Sequence, residues 1–301
     1  MSQVWPVTGA ARGLGMAIAQ AALEAGHQLV ATARDTGNLG LTFRHVPVHR
    51  LLGAKLDVSD LDQAHQVARA ALDTFGRVDV LVNNAGYGQL SAFEETTPDE
   101  VRAQLDTNLF GVMNVTRAVS PLMRAQRAGR IFNVASIGGY GSSNRGGVYW
   151  ASKFAVVGFT EALAAEVAEF GISATVVAPG YFRTDFLDPS SAGFGGSAPI
   201  VDYAASTAAF RQAMADMNHA QEGDPAKLGR VLVELANAGR PPLNFPVGRD
   251  AVEYITAHHQ HVLEEIAAWR GLTETTGYDP GNSQLPGTRE QGWRESDSCP
   301  E

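Results

Sequence analysis

Tyr149 and Lys153 stand four residues apart in the stretch Val148-Tyr149-Trp150-Ala151-Ser152-Lys153. Four residues are about one turn of helix, so a phenol and an ammonium at these positions project from the same face. A phenol titrates at about 10 in water, too high for efficient proton transfer at neutral pH. A cation one turn away favours the phenolate, so the spacing predicts a lowered phenol pKa and an acid–base pair. The pattern alone is weak, because a tyrosine and a lysine this far apart also share ordinary polar helix faces.

A second candidate lies near the start of the chain, in Thr8-Gly9-Ala10-Ala11-Arg12-Gly13-Leu14-Gly15. Glycines permit a tight turn and let backbone amides approach a pyrophosphate, which the positive end of a helix attracts. The order G-x-x-x-G-x-G differs from the common G-x-G-x-x-G fingerprint, and a glycine-rich turn without a ligand is the alternative. An apolar strand before the loop and a helix after it, with Ile18, Ala22 and Ala25 on its buried side, favour the phosphate reading.

The elements that must position these residues alternate along the chain. Strand-like apolar runs fall at Val4–Thr8, Gln28–Ala33, Ala54–Val58, Val78–Asn83, Arg130–Ala135, Ile172–Ala178 and Leu243–Val247. Between them Leu61, Ala64, Ala68, Ala71, Leu72 and Phe75 keep a helical period. Thr97-Pro98-Asp99-Glu100 reads as a capping box opening a helix that runs into the 120s. Ser152 to Phe170 is helical by period and Gly171 closes it. Strand–helix alternation predicts parallel strands with right-handed crossovers, hence a single-domain, doubly wound, three-layer α/β sheet, the Rossmann arrangement. Residues 37–53 break the rhythm, with no clean period and an interruption at Pro47. Pro6 removes a ladder donor from what should be a central strand. The polar, Pro- and Gly-rich stretch from about Thr275 to Glu301 reads as a disordered tail, leaving a domain of residues 1–274.

Composition narrows the function. The 301 residues are 45% hydrophobic, enough for a sizeable core. A net charge of −9 argues against nucleic acid or an anionic membrane as partner. One cysteine, Cys299, cannot form an internal disulfide, and neither a leader nor an apolar span is seen, so a cytoplasmic protein is expected. His258, His261 and Glu265 could form a zinc triad, but no metal is expected; His259 shares a helical stripe with Val252, Ile255, Val262, Ile266 and Trp269 and reads as core-facing.

Three further motifs complete a pattern: Asn83-Asn84-Ala85-Gly86 after the fourth strand, Ser136 thirteen residues before Tyr149, and Pro179-Gly180-x-x-x-Thr184 after the sixth. With the glycine loop and Tyr149-x-x-x-Lys153 they resemble the short-chain dehydrogenase/reductase family over roughly residues 3 to 270. The C-terminal part, from Asp224-Pro225 to Gly248, looks like the subgroup of 17β-hydroxysteroid and retinol dehydrogenase-like enzymes. The resemblance implies an oxidoreductase passing a hydride between a nicotinamide dinucleotide and a ketone or secondary alcohol. It makes Tyr149 the general acid–base and Lys153 its partner and a ribose contact. Ser136 becomes the group that holds the substrate oxygen, and Asn108 the helix residue that completes a proton relay.

For the cofactor it implies Gly9, Arg12, Gly13, Leu14, Gly15, Val58, Asn83, Ala85, Gly86, Pro179, Gly180 and Thr184. Asp57 resembles the adenine contact, although capping a turn is its simpler role. Arg34 stands at the end of the second strand where NAD enzymes place a carboxylate, so NADP(H) is expected over NAD(H), with Arg12 reaching the same phosphate. Asp35, one residue later, argues the other way. Tyr140, Tyr181, Phe182 and Phe186 are expected around an apolar or aromatic substrate, under a lid formed by residues 185–222. A homodimer or homotetramer is implied. A non-catalytic dinucleotide-binding sensor on the same fold is the alternative, and a sugar-nucleotide epimerase of the extended branch is disfavoured by its different glycine loop.

Overall fold

A computed structural model describes residues 2–278. Nine strands and nine α-helices alternate among these residues: β1 (Val4–Thr8), α1 (Gly13–Glu24), β2 (Gln28–Ala33), α2 (Gly37–Thr42), β3 (Leu51–Lys55), α3 (Leu61–Phe75), β4 (Val80–Asn83), β5 (Gly88–Gln89), α4 (Pro98–Leu105), α5 (Gly111–Gln126), β6 (Gly129–Val134), α6 (Gly147–Val167), β7 (Ile172–Pro179), β8 (Ala192–Gly193), α7 (Ala204–Met217), α8 (Pro225–Asn237), β9 (Asn244–Val247) and α9 (Arg249–Thr273). Seven strands form one parallel sheet in the order β3-β2-β1-β4-β6-β7-β9, and β5 and β8 pair separately. The winding direction reverses between β1 and β4, the switch point where open α/β sheets bind ligands. Two compact units divide at His258/His259.

Alternation along each strand builds the core. Trp5, Val7, Leu29, Val80 and Phe132 join Ile18, Leu228 and Leu232 on one face. Val4, Val30, Leu81 and Ile131 join Ala68, Val115 and Leu163 on the other. Both faces of the sheet are thus covered, which is why the strands read as nearly continuous apolar runs. On the first face a Cβ at Gly229 would lie 2.6 Å from the Ala17 carbonyl, so only glycine lets α8 approach α1 so closely.

Several element boundaries differ from those read in the sequence. The irregular stretch 37–53 holds α2, a 3₁₀ turn at Val48–Arg50 and the start of β3, which begins three residues earlier than its apolar pattern suggests. Its stakes are few: Leu39 and Phe43 are buried, and Arg50 donates to the carbonyls of Leu23 and His27. Pro6 does occupy a central strand. Val4, two residues earlier and so on the same edge of β1, exchanges hydrogen bonds with Asp79, and the missing proline donor falls on that side. There the β1–β4 ladder narrows to Val7↔Val82, whereas β1 pairs β2 along five residues. The histidine stripe on α9 is also not a core face: Ile255 is buried, but His259, Val262, Ile266 and Trp269 are exposed. The tail expected from 275 lies almost wholly outside the described residues.

Candidate active site

The acid–base candidates meet at the carboxyl ends of β4 and β6. The helix α6 begins at Gly147, five residues before its sequence period becomes visible, so Tyr149 and Lys153 both lie in its first two turns. Both side chains are buried, at 6% exposure each. Lys153 Nζ donates to the Val134 carbonyl at 2.9 Å and lies 5.8 Å from the centre of the Tyr149 ring. Burial pushes the phenol up to about 12, with a hydrogen bond from Ser136 opposing it. The same loss of water pushes the Lys153 amine down to about 8. Spacing alone predicts a lowered phenol pKa; in the folded chain desolvation dominates, Tyr181 adds to it, and the Ser136 hydrogen bond offsets it only in part. Tyr149 is therefore a protonated donor at neutral pH.

Asn108 reaches this pair by a device the sequence did not reveal. The long helix expected from Pro98 into the 120s is interrupted by a π-helical turn over Asp106–Phe110. The wider turn shifts the helical phase, and such bulges recur at functional sites. Asn108, fully buried within it, accepts from the Tyr87 amide at 3.1 Å. It donates to the Tyr87 carbonyl at 2.9 Å and to Ser152 Oγ at 3.2 Å, on α6 beside Lys153. A Cβ on Gly86 would press to 3.0 Å from Asn108 Oδ1 and 3.7 Å from Lys153 Nζ, so this glycine keeps the corner open. Ser136 follows β6 in an extended conformation, and its Oγ accepts from the Gly138 amide at 3.1 Å.

The glycine loop is shaped for an anion. Gly9 and Gly13 have φ of +67° and +56°, a region that disfavours side chains. A Cβ on Gly15 would fall 2.3 Å from the Gly9 carbonyl oxygen. No side chain caps the start of α1, which leaves its first amides, around Gly13, Leu14 and Gly15, facing outward. Asn84, which sequence reasoning passed over, holds the loop: its Nδ2 donates to the Thr8 carbonyl at 2.9 Å while its amide donates to Thr8 Oγ1. The Ala85 amide joins the same hydroxyl at 3.0 Å. Thr184 lies across the loop, its Cβ 3.7 Å from where a Gly13 Cβ would be. Pro179 and Gly180 close β7, the Gly180 amide donating to Val247.

Other expected cofactor residues are engaged differently. The Asn83 side-chain nitrogen donates to Thr116 and Asn133 inside the protein, stitching β4 to β6 and α5, while its Oδ1 is buried without a hydrogen-bond partner. Asp57 accepts from the Ser59 amide and hydroxyl, the turn-capping role, and Val58 packs against Gly111. Arg12 directs its guanidinium to Ser190, at 2.7 Å from the hydroxyl and 2.9 Å from the carbonyl. Arg34 is exposed past the end of β2, and Asp35 Oδ1 accepts the Gly37 amide at 2.9 Å.

On the substrate side the four aromatics divide. Phe186 packs 5.9 Å from the Tyr149 ring, and Trp150, Leu90 and Ala192 close around the phenol. Tyr181 is close enough to raise the Tyr149 pKa. Tyr140 instead packs among Ala135, Val156 and Ile255 and donates to Asn244. Phe182 packs in the core with Val177 and Val247, pinned by its pairing with Gly223. Neither of these two shares the apolar cluster around Tyr149, because the strands they follow turn them toward the sheet.

A family model described as short chain dehydrogenase matches residues 3–193. The chain belongs to the short-chain dehydrogenase family. An oxidoreductase of Botryotinia fuckeliana, BOA17, is 38% identical over 275 residues, covering 91% of this chain and 98% of its own. A short-chain dehydrogenase from Streptomyces avermitilis superposes with a TM-score of 0.84 at 38% identity, covering 92% of this chain and all of that one. A Burkholderia phymatum family member solved in complex with NAD gives a TM-score of 0.76 at 25% identity, covering 88% of this chain and 95% of its own. This short-chain dehydrogenase is accordingly an NAD(P)-dependent oxidoreductase acting on CH–OH and C=O groups. No helix among its described residues is long and apolar enough to cross a membrane.

Proposed function

We propose that the enzyme reduces an apolar or aromatic ketone, and oxidises the matching secondary alcohol, with NADP(H) preferred. Bound along the glycine loop, the nicotinamide dinucleotide would supply or accept the hydride. The uncapped start of α1 and the left-handed glycines suit its pyrophosphate. Arg34 would hold the 2′-phosphate, while Asp35 accepts the Gly37 amide and so is tied into the turn that follows β2.

The observation that carries the reading is a buried, protonated phenol one turn from a buried amine, with Ser136 against the phenol. In the reductive direction Ser136 and Tyr149 hold the carbonyl oxygen, and Tyr149 Oη gives it a proton. Lys153 stabilises the resulting phenolate, and Asn108, bonded to Tyr87 and Ser152, fixes the corner through which the proton is replaced. Phe186, Trp150 and Tyr181 supply an apolar enclosure. Residues 185–222 act as the lid, the finer subgroup is the 17β-hydroxysteroid/retinol dehydrogenase-like one, and the enzyme works in the cytoplasm as a homodimer or homotetramer.

Oxidation of NADPH and NADH against a panel of aliphatic and aromatic ketones tests the proposal. At least about tenfold higher kcat/KM with NADPH is expected, about 1.4 kcal/mol, and Arg34→Asp should remove it. Equal use of both cofactors by the wild type, or an unchanged preference in the variant, contradicts the assignment.

A further inference from the structure

Asp185 and Asp188 leave the site immediately after Thr184, and His219 follows the end of α7, some thirty residues on. The chain returns so that one ligand atom from each of the three lies within 4.8 Å of the others. His219 Nε2 stands 3.3 Å from Asp188 Oδ1. We infer that Asp185, Asp188 and His219 form a binding site for a divalent transition-metal ion that ties the two ends of the lid together.

Three features support a ligand set. One imidazole with two carboxylates suits zinc or manganese; magnesium and calcium sites are built from oxygens. Among the described residues Asp188 pairs with His219 and neither aspartate pairs with a lysine or arginine, so no such cation already neutralises the two carboxylates. Asn218, half-buried and next to His219 in the chain, reaches the Asp188 carboxylate as well. Its Nδ2 donates to Asp188 Oδ1 at 2.5 Å, while its Oδ1 is buried with no hydrogen-bond partner. His219 itself is held at φ +62°, a conformation that costs a non-glycine residue. Three protein ligands leave positions open for water.

Isothermal titration of the chelator-stripped full-length chain with Zn²⁺ tests the site. None of the three residues belongs to the acid–base machinery, so the outcome is independent of the proposed reduction. One ion per chain is expected for the wild type, with a rise in Tm on saturation. Asp188→Asn and His219→Gln should each bind at least roughly tenfold more weakly, while His261→Gln, on α9, should bind as the wild type does. Circular dichroism without zinc verifies the fold of each variant, and the wild-type Tm shift stands whether or not a variant folds. No saturable binding to the wild type overturns the inference. So does unchanged affinity in both folded variants, or a loss confined to His261→Gln, which would put the ion on α9.

Discussion

Tyr149 and Lys153 are held by a regular helix and Asn108 by the π-helical turn between α4 and α5, with Lys153 fixed to the last carbonyl of β6. Residues 185–222 reach the same site by other means. They carry a two-residue strand, two short 3₁₀ turns and one helix, and are fastened by scattered polar contacts. Glu95 is the chief fastening: its carbonyl accepts from Ala198 at 3.2 Å and its Oε1 from Ile200 at 3.1 Å. Its Oε2 faces Arg145 Nη1 at 3.8 Å, both side chains 4% exposed, and Arg145 bonds Ser206 on α7 at 2.6 Å. Ser197 adds a bond to Glu100 at 2.6 Å, and Ser190 one to Arg12. The acid–base site is thus a product of the core, and the proposed lid is fastened by one buried ion pair and scattered polar contacts. One consequence is that the lid can respond to single substitutions the acid–base site would not notice.

The largest expected effect breaks that fastening. Glu95→Ala leaves the Arg145 guanidinium buried without its counter-charge, which typically costs about 3–5 kcal/mol. Urea denaturation should show a loss of this order, accompanied by a raised substrate KM as the lid loosens. A loss within about 0.5 kcal/mol of zero, as at an ordinary surface position, would mean that Glu95 fastens nothing.

A somewhat smaller effect belongs to the acid–base site and appears as pH dependence. Burial holds the Lys153 amine at about 8, below its value in the unfolded chain. Above pH 8 the unfolded state therefore keeps a proton the native state has shed, and stability rises with pH until the unfolded amine also titrates. Tyr149 opposes this above about pH 10, where the unfolded phenol ionises while the native one, held at about 12, does not. Between pH 8 and 10 the wild type should gain up to about 3 kcal/mol, a rise that Lys153→Met should abolish. A flat or falling profile in the wild type would show that Lys153 keeps its charge in the fold. Catalysis should move the other way, falling as Lys153 loses its charge.

What could be read in the sequence follows the same division. The sheet, the glycine loop, the Thr97 capping box and the Tyr149–Lys153 turn depend on local spacing and are present, although β3 begins three residues and α6 five residues before their patterns show. The π-helical turn under Asn108 has no pattern of its own, since Asp106–Phe110 continues an apparently regular helix. Asn84 and Asn83 are identical neighbours, and only the strand's alternation decides that one holds the loop and the other enters the core. Tyr140 and Phe182 pack in other apolar clusters than the one around Tyr149, because proximity in sequence to Ser136 and Pro179 says nothing about which way a side chain turns. Glu95 and Arg145 are fifty residues apart and carry no motif, so their pairing is a property of the tertiary structure alone.

The account rests most heavily on Tyr149 as the group that exchanges a proton with substrate. Tyr149→Phe keeps the ring against Trp150 and Phe186 and removes only the hydroxyl, so the fold and the glycine loop should be unaffected. The decisive measurement is single-turnover NADPH oxidation with the best ketone of the panel, beside NADPH affinity measured by fluorescence titration. The account predicts a rate lower by roughly two orders of magnitude or more, with NADPH affinity unchanged. A variant that turns over at close to the wild-type rate would contradict it.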